Sequence, residues 1–268
     1  MRFLMYSNPA SPEAAALSEQ LRERLAKQGQ QLCDEKEAGQ ADMAIVLGGD
    51  GTVLRAVRAL RPASKPIWAV NCGHLGYLTD CPREQAFSAL DRILAGEYHM
   101  ERRIQLGGSL LDGARVYALN ELLLHRSACS HVLQVEVLVN GCLALRFRGD
   151  GLILCTPSGS TAYNLSAGGP VLMPEMELIA MTPICAQSLS VAPIVISARD
   201  RVRVSWHMQG EERQLEHPDL TADGQEKYRL PMDGALELNG DISPVALVRT
   251  QSNDFYGRLQ HRMHWNAE

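Results

Sequence analysis

Apolar positions in the first hundred residues follow two alternating rhythms. Residues 2–6 read as a short strand. Ser11-Pro12-Glu13 then supplies an N-cap, a proline at the first helical position and an acidic first turn. Ala14, Leu17, Leu21 and Leu25 recur at helical spacing until Gly29 stops the run. Met43–Leu47 is a compact apolar stretch opening into Gly48-Gly49-Asp50-Gly51-Thr52, and Val53, Val57 and Leu60 behind it share one helical face. Ile67–Asn71 repeats the strand and Cys72-Gly73-His74-Leu75-Gly76 the loop. Phe87, Leu90, Ile93 and Leu94 mark a third helix ending before Gly96. Strands alternating with helices predict a mainly parallel sheet covered on both faces.

After about residue 98 the period becomes two. Val135, Val137 and Val139 alternate up to Asn140-Gly141, and Leu143, Leu145 and Phe147 alternate away from it, a hairpin with a type I′ turn signal. Val202, Val204 and Trp206, then Leu236 and Leu238 before Asn239-Gly240, continue the β character. Residues 253–265 turn helical again, with Phe255, Leu259 and Met263 on one face. The pattern predicts an α/β domain over 1–98 and a β-rich domain over 99–245, with a C-terminal helical segment, 246–268, returning to the first domain. No internal repeat is visible.

Composition narrows the class. With 46% apolar and 21% charged residues and a formal charge of −5, the chain is neither disordered nor low in complexity. No apolar run approaches a membrane span, and the first residues break before a signal-peptide apolar region could form. The expectation is a soluble, cytoplasmic protein that binds neither membrane nor nucleic acid, because it is acidic and its basic residues are scattered. Seven widely spaced cysteines without Cys-x-x-Cys read as reduced thiols. His261 and His264 stand at i, i+3 without further ligands nearby in sequence, which reads as a solvated helix face rather than a metal pair.

Three segments carry candidate chemistry. Gly48-Gly49-Asp50-Gly51-Thr52 joins a strand to a helix, where exposed amides and the positive helix N-terminus suit phosphate oxygens. It lacks the Gly-Lys-Ser/Thr of a Walker A loop, and Leu54 occupies the third glycine position of a dinucleotide fingerprint. A carboxylate among such amides repels the ligand unless it handles a metal or a proton; the bland alternative makes Asp50 a helix N-cap. The second segment runs from Arg146-x-Arg148-Gly149-Asp150-Gly151-Leu152 to Gly168-Gly169-Pro170. Five Ser or Thr residues between 156 and 166, with glycines among them, fit a loop that hydrogen-bonds a polar ligand. The third is Asn120-Glu121 before the apolar residues 122–124, which a turn leading into a strand explains equally well.

Together these motifs closely resemble the NAD kinases, in order and spacing and over nearly the whole chain. The resemblance includes Asn71-Cys72-Gly73-His74-Leu75-Gly76-Tyr77-Leu78, Thr156-Pro157-Ser158-Gly159-Ser160-Thr161-Ala162-Tyr163 and the final Phe255, Tyr256, Leu259 and Trp265. It implies an N-terminal α/β domain, a sandwich-like C-terminal domain, an active site in the cleft between them and a homodimer or homotetramer. The implied reaction transfers the γ-phosphoryl of ATP, with a divalent ion such as magnesium, to the adenosine ribose 2′-hydroxyl of NAD. Polyphosphate is a conceivable second donor. The resemblance makes Asp50 the base and gives the donor phosphates to Gly48, Gly49, Gly51 and Thr52. It places Asp50, Gly51, Asn120, Glu121, Asp150, Ser158, Thr161, Ala162, Tyr163, Ser166 and Gln225 on the dinucleotide, with Arg148 beside it.

The chemistry agrees: a ribose hydroxyl is a poor nucleophile that gains from positioning and a carboxylate base. Magnesium offsets donor-phosphate charge that an acidic protein cannot neutralise by its net field. Residues 182–193 depart from the family, with Ala186, Gln187 and Ala192 where Pro, His and Arg are frequent. The Gly-Gly-Asp-Gly loop is shared with diacylglycerol-type lipid kinases, which leave the 149–170 block unexplained. A non-catalytic NAD(P) sensor would not need Asp50.

Overall fold

Two units organise the chain, Met1–Arg102 with Val245–Glu268, and Arg103–Pro244. The structure is a computed structural model. It describes residues 1–61, 64–73, 76–127, 131–208, 217–238, 244–251 and 255–263, the last without the side chains of 261 and 262. The His261–His264 pair, His74-Leu75, Cys129, Asn239-Gly240, Asn253 and Trp265 therefore lie outside the described residues.

The first unit begins β1 (Arg2–Ser7), α1 (Pro12–Lys27), β2 (Gln31–Cys33), β3 (Met43–Leu47), α2 (Asp50–Ala59), β4 (Ile67–Asn71), β5 (Cys81–Pro82), α3 (Ala86–Leu94) and β6 (His99–Arg103). The second holds β7 (Leu106–Leu110), β8 (Arg115–Ala118), β9 (Glu121–Arg126), β10 (Leu133–Val139), β11 (Cys142–Gly149) and β12 (Gly151–Cys155). It continues with α4 (Tyr163–Ser166), β13 (Leu178–Ile184), β14 (Ile194–Ser197), β15 (Val202–Met208), β16 (Pro218–Ala222), β17 (Glu226–Arg229) and β18 (Asp233–Leu238). The chain then returns to the first unit through β19 (Val245–Arg249) and α5 (Phe255–Met263).

In the first unit Ser11 caps α1, its hydroxyl accepting the Ala14 N–H at 3.2 Å, and Gly29 follows the helix at φ +69°. The sheet runs β2-β1-β3-β4-β19-β6, with β5 paired to β4 off that path. The pairs β1–β2, β1–β3, β3–β4, β4–β5 and β4–β19 are parallel. Phe3, Met43, Ile45, Leu47, Trp68 and Val70 form one core with the apolar stripes of α1 and α3. Leu4, Ala44 and Val46 alternate with them and are buried too, and α2 packs on β1 and β3, so the central strands are covered twice. Phe87 departs from the expected stripe and is 38% exposed, because Ala86, Ala89, Leu90 and Ile93 take the buried face of α3.

In the second unit two six-stranded sheets run β11-β10-β15-β18-β7-β8 and β14-β13-β12-β9-β16-β17. Val135, Val137, Phe147, Val204 and Trp206 of the first share one core with Leu122, Leu124, Leu152, Leu154 and Met181 of the second, a sandwich. Asn140 and Gly141 take the positive φ that a type I′ turn needs. The hairpin carries a bulge: Val137 pairs with Leu145 but Leu138 with Leu143, which leaves Ala144 extra. Leu143 is thereby turned away from the face of Leu145 and Phe147 and is 52% exposed. β12 is buried on both faces, since Ile153 and Cys155 meet Leu172 and Ala167 on the side away from the sandwich core. The chain after β12 therefore folds back over that outer face.

Candidate active site

The Gly-Gly-Asp-Gly turn forms where β3 gives way to α2. Gly48 N–H donates to Val70 O at 3.0 Å, Gly49 is the N-cap and Asp50 is the first helical residue. A Cβ on Gly48 would collide with the Thr52 side chain, so the tight approach requires glycine. Thr52 is buried and its hydroxyl accepts from Arg55 at 3.3 Å. Asp50 does not cap α2, which corrects the bland alternative. Its carboxylate accepts backbone N–H bonds from Tyr77 (2.9 Å) and Leu78 (3.0 Å), in the chain after β4. Gly76 makes this possible, because a Cβ there would fall on the Asp50 carboxylate. The positive end of a ten-residue helix thus lies beside one carboxylate clamped by two amides.

The clamping segment is anchored from its far end. Asp80 is buried, and its carboxylate accepts from Trp68 Nε1 (3.1 Å), Thr250 N (3.0 Å) and the Thr250 hydroxyl (2.6 Å). Arg249 is 1% exposed, is paired with Glu101 at 3.1 Å, and donates to the Tyr77, Leu78 and Thr79 carbonyls.

The remaining predicted residues lie in the second unit, where distant turns are clipped together. Asp223 and Gly224 carry positive φ in the turn between β16 and β17. The Asp223 carboxylate accepts the N–H groups of Leu119 (2.9 Å), Asn120 (2.7 Å) and Glu121 (3.2 Å), and Asp223 N donates back to Glu121 O. Gln225 follows in the same turn as Asp223, its N–H donating to Ala222 O. The chain after β12 joins the same turn, with Thr156 N donating to Asn120 O (2.9 Å) and the Thr156 hydroxyl to Leu119 O. Gly159 lies so close to Asn120 that a Cβ would meet its backbone.

Asn120 Oδ1 and Glu121 Oε2 are buried without a hydrogen-bond partner among the described residues. Burial, reinforced by the Asp223 charge, pushes the Glu121 carboxyl up to about 7. Burial also pushes up the Cys155 thiol beside it.

The hydroxyl-rich block divides between structure and surface. The Ser160 hydroxyl donates to Pro157 O and accepts from Leu172 N, Ser158 accepts from Arg103 at 3.0 Å, and Asn164 accepts from Thr182 at 2.7 Å. Part of the polarity attributed to a ligand thus serves the protein's own backbone. Thr161 and Ala162 are half-buried, while Tyr163 and Ser166 are exposed. Asp150 pairs with Arg126 at 2.8 Å, whereas Arg148 is exposed on β11. Sequence reasoning passed over Gly76, Asp223 and Arg126. Gly76 stood inside a quoted motif, and Asp223-Gly224 is itself a turn signal next to Gln225.

Comparison with known proteins matches residues 10–98 to the ATP-NAD kinase N-terminal domain and residues 119–249 to the ATP-NAD kinase C-terminal domain. An NAD kinase of Moorella thermoacetica is 37% identical over 85% of this chain and 73% of its own length. One from Geobacter sp. is 31% identical over 98% of both chains. A crystal structure of yeast NADH kinase complexed with NADH superposes with a TM-score of 0.88 at 22% identity, covering 100% of this chain and 89% of that one, a likeness of fold. The structure of an NAD kinase from Archaeoglobus fulgidus in complex with ATP gives 0.79 at 25% identity, covering 98% of this chain and 99% of that one. With both domain models matched in order over an α/β unit and a β-sandwich unit, the chain belongs to the NAD kinase family.

Proposed function

We propose that this chain transfers the γ-phosphoryl of ATP to the 2′-hydroxyl of the adenosine ribose of NAD, giving NADP and ADP. The observation that carries the reading is the Asp50 carboxylate, held by two backbone amides at a helix N-terminus suited to phosphate. Asp50 accepts the hydroxyl proton as the ribose oxygen bonds to the γ-phosphorus and the bridge to the β-phosphate breaks. Gly49, Gly51 and the Thr52 hydroxyl, at the α2 N-terminus, hold donor phosphates; the Gly48 N–H is taken by Val70 O, so Gly48 serves the tight turn instead. Asn120, Glu121, Asp150, Ser158, Thr161, Ala162, Tyr163, Ser166 and Gln225 bind the dinucleotide. The buried, unpartnered oxygens of Asn120 and Glu121 support this, because a buried polar atom without a partner is costly until a ligand supplies one.

Among the described residues no group of three or more His, Cys, Asp or Glu is placed to hold a metal ion. The donor set does not fit a protein cage, and a divalent ion such as magnesium accompanies ATP as part of that substrate. Six described cysteines are free, in keeping with a cytoplasmic location, and no described helix is long and apolar enough to cross a membrane. A homodimer or homotetramer is in keeping with the fully exposed Leu189, in the turn before β14, and the exposed Val195 on the edge strand β14 itself; light scattering measures it.

The test is Asp50→Asn. NADP formation should fall about 10²–10⁴-fold while NAD binding persists. Retention of more than about a tenth of the turnover would remove Asp50 as the base.

A further inference from the structure

The segment 76–80 has two hydrogen-bonding sides. Its Tyr77 and Leu78 amides face Asp50. Its carbonyls, five in succession, all accept from two guanidinium groups. Arg249 donates to Tyr77 O (3.2 Å), Leu78 O (3.2 Å) and Thr79 O (2.7 Å). Arg258, on α5, donates to Gly76 O (3.0 Å), Thr79 O (2.6 Å) and Asp80 O (3.1 Å). The peptide planes that present N–H groups to the carboxylate are therefore fixed from behind.

The two arginines differ in kind. Arg249 is fully buried and its charge is answered by Glu101, so removing it leaves an uncompensated buried carboxylate. Arg258 is half-buried and lies beside Arg249, and burial together with that like charge lowers its pKa. Holding a cation there is unfavourable by itself. Docking of α5 does not require it, since Phe255 and Leu259 already anchor the helix at 7% and 6% exposure. What the guanidinium gains is three carbonyls of the Asp50-clamping segment, with Asp50, Asp80 and Glu101 as nearby negative charges.

We propose that Arg258 is a positioning residue for Asp50: by holding the carbonyl side of residues 76–80, it sets the two amides that aim the carboxylate. This rests on the reading of Asp50 as the base. Misplacing a reacting group by about 1 Å can cost about a hundredfold in rate. A loosened clamp should therefore lower turnover without weakening either substrate.

The experiment compares the unaltered chain with Arg258→Ala, Arg258→Lys, Asp50→Asn and the Ala/Asn double variant. Arg258→Ala should lower kcat about tenfold to a hundredfold. Its KM for ATP and for NAD should stay within about twofold. Arg258→Lys should recover part of the loss, because one ammonium can serve some of the three carbonyls. The double variant should be no slower than Asp50→Asn alone, since the arginine acts through the carboxylate. The proposal is overturned if Arg258→Ala keeps full kcat, if Arg258→Ala and Arg258→Lys raise both KM values in step with the loss, or if the two losses multiply. Asp50→Asn, assayed alone, separates the two ideas: retained turnover there sinks the base reading and the proposal with it. An intact Asp50 effect with an unaltered Arg258→Ala sinks the proposal only.

Discussion

Glu121→Gln keeps the side chain's shape and removes its ability to ionise. In the folded chain burial and the Asp223 charge raise the Glu121 carboxyl from 4.5 to about 7. Ionising it is therefore about 3 kcal/mol harder in the folded chain than in the unfolded one. The sign follows from which state holds the proton. Below the unfolded value both states are protonated and the group costs nothing. Between 4.5 and about 7 the unfolded chain has released its proton while the folded chain keeps it, so stability falls as pH rises. Above about 7 the folded chain carries the full cost of a buried carboxylate. Glutamine carries none of this. Urea unfolding of both unliganded proteins at several pH values should show the Gln variant gaining on the wild type by about 2 kcal/mol between pH 5 and pH 8. A difference that stays constant within about 0.5 kcal/mol would refute the argument and mean that Glu121 ionises as an exposed carboxyl does.

Two further perturbations address the second unit. Asp223→Ala removes the acceptor of three backbone N–H bonds that hold the Asn120-Glu121 turn, and calorimetry should show NAD affinity falling by about 2–3 kcal/mol, roughly 30–150-fold. The KM for ATP should hold, and an unchanged NAD affinity would reduce Asp223 to a turn residue. Arg148→Gly should raise the kcat/KM for NADH relative to that for NAD, through loss of the rigid donor fork that the NAD kinase resemblance puts beside the dinucleotide. An equal ratio in both proteins would leave Arg148 an exposed strand residue.

Local features were legible in the chain and remote ones were not. The Ser11 cap, the Gly29 stop and the Asn140-Gly141 hairpin each rest on neighbours a few residues apart, and the structure forms all of them. Leu143 went astray because one extra residue, Ala144, reverses the face on which period-two counting places it. Asp50 was open to an N-cap reading because its partners, Tyr77 and Leu78, arrive from beyond the next strand. Asp223 reaches residues about a hundred positions earlier, and nothing in periodicity encodes such a pairing. Thr156 and Ser160 looked like ligand contacts because hydroxyl counting cannot distinguish a bond to a substrate from a bond to Leu119 or Leu172.

The position of β19 sets an order of events during synthesis. β19 lies between β4 and β6 in the first unit's sheet, yet the ribosome makes it about 140 residues after β6. A nascent chain that has just completed β6 has no neighbour for that strand. The sandwich, 103–244, is contiguous and needs nothing made later. Synthesis proceeds at about 5–20 residues per second, so the first unit waits about 7–28 seconds with an open gap in its sheet while the second can close. A truncation at residue 244 would leave a cleft inside the sheet rather than a trimmed edge. The part of the β4 edge that β19 covers, at Ile67, would then be a template for aggregation.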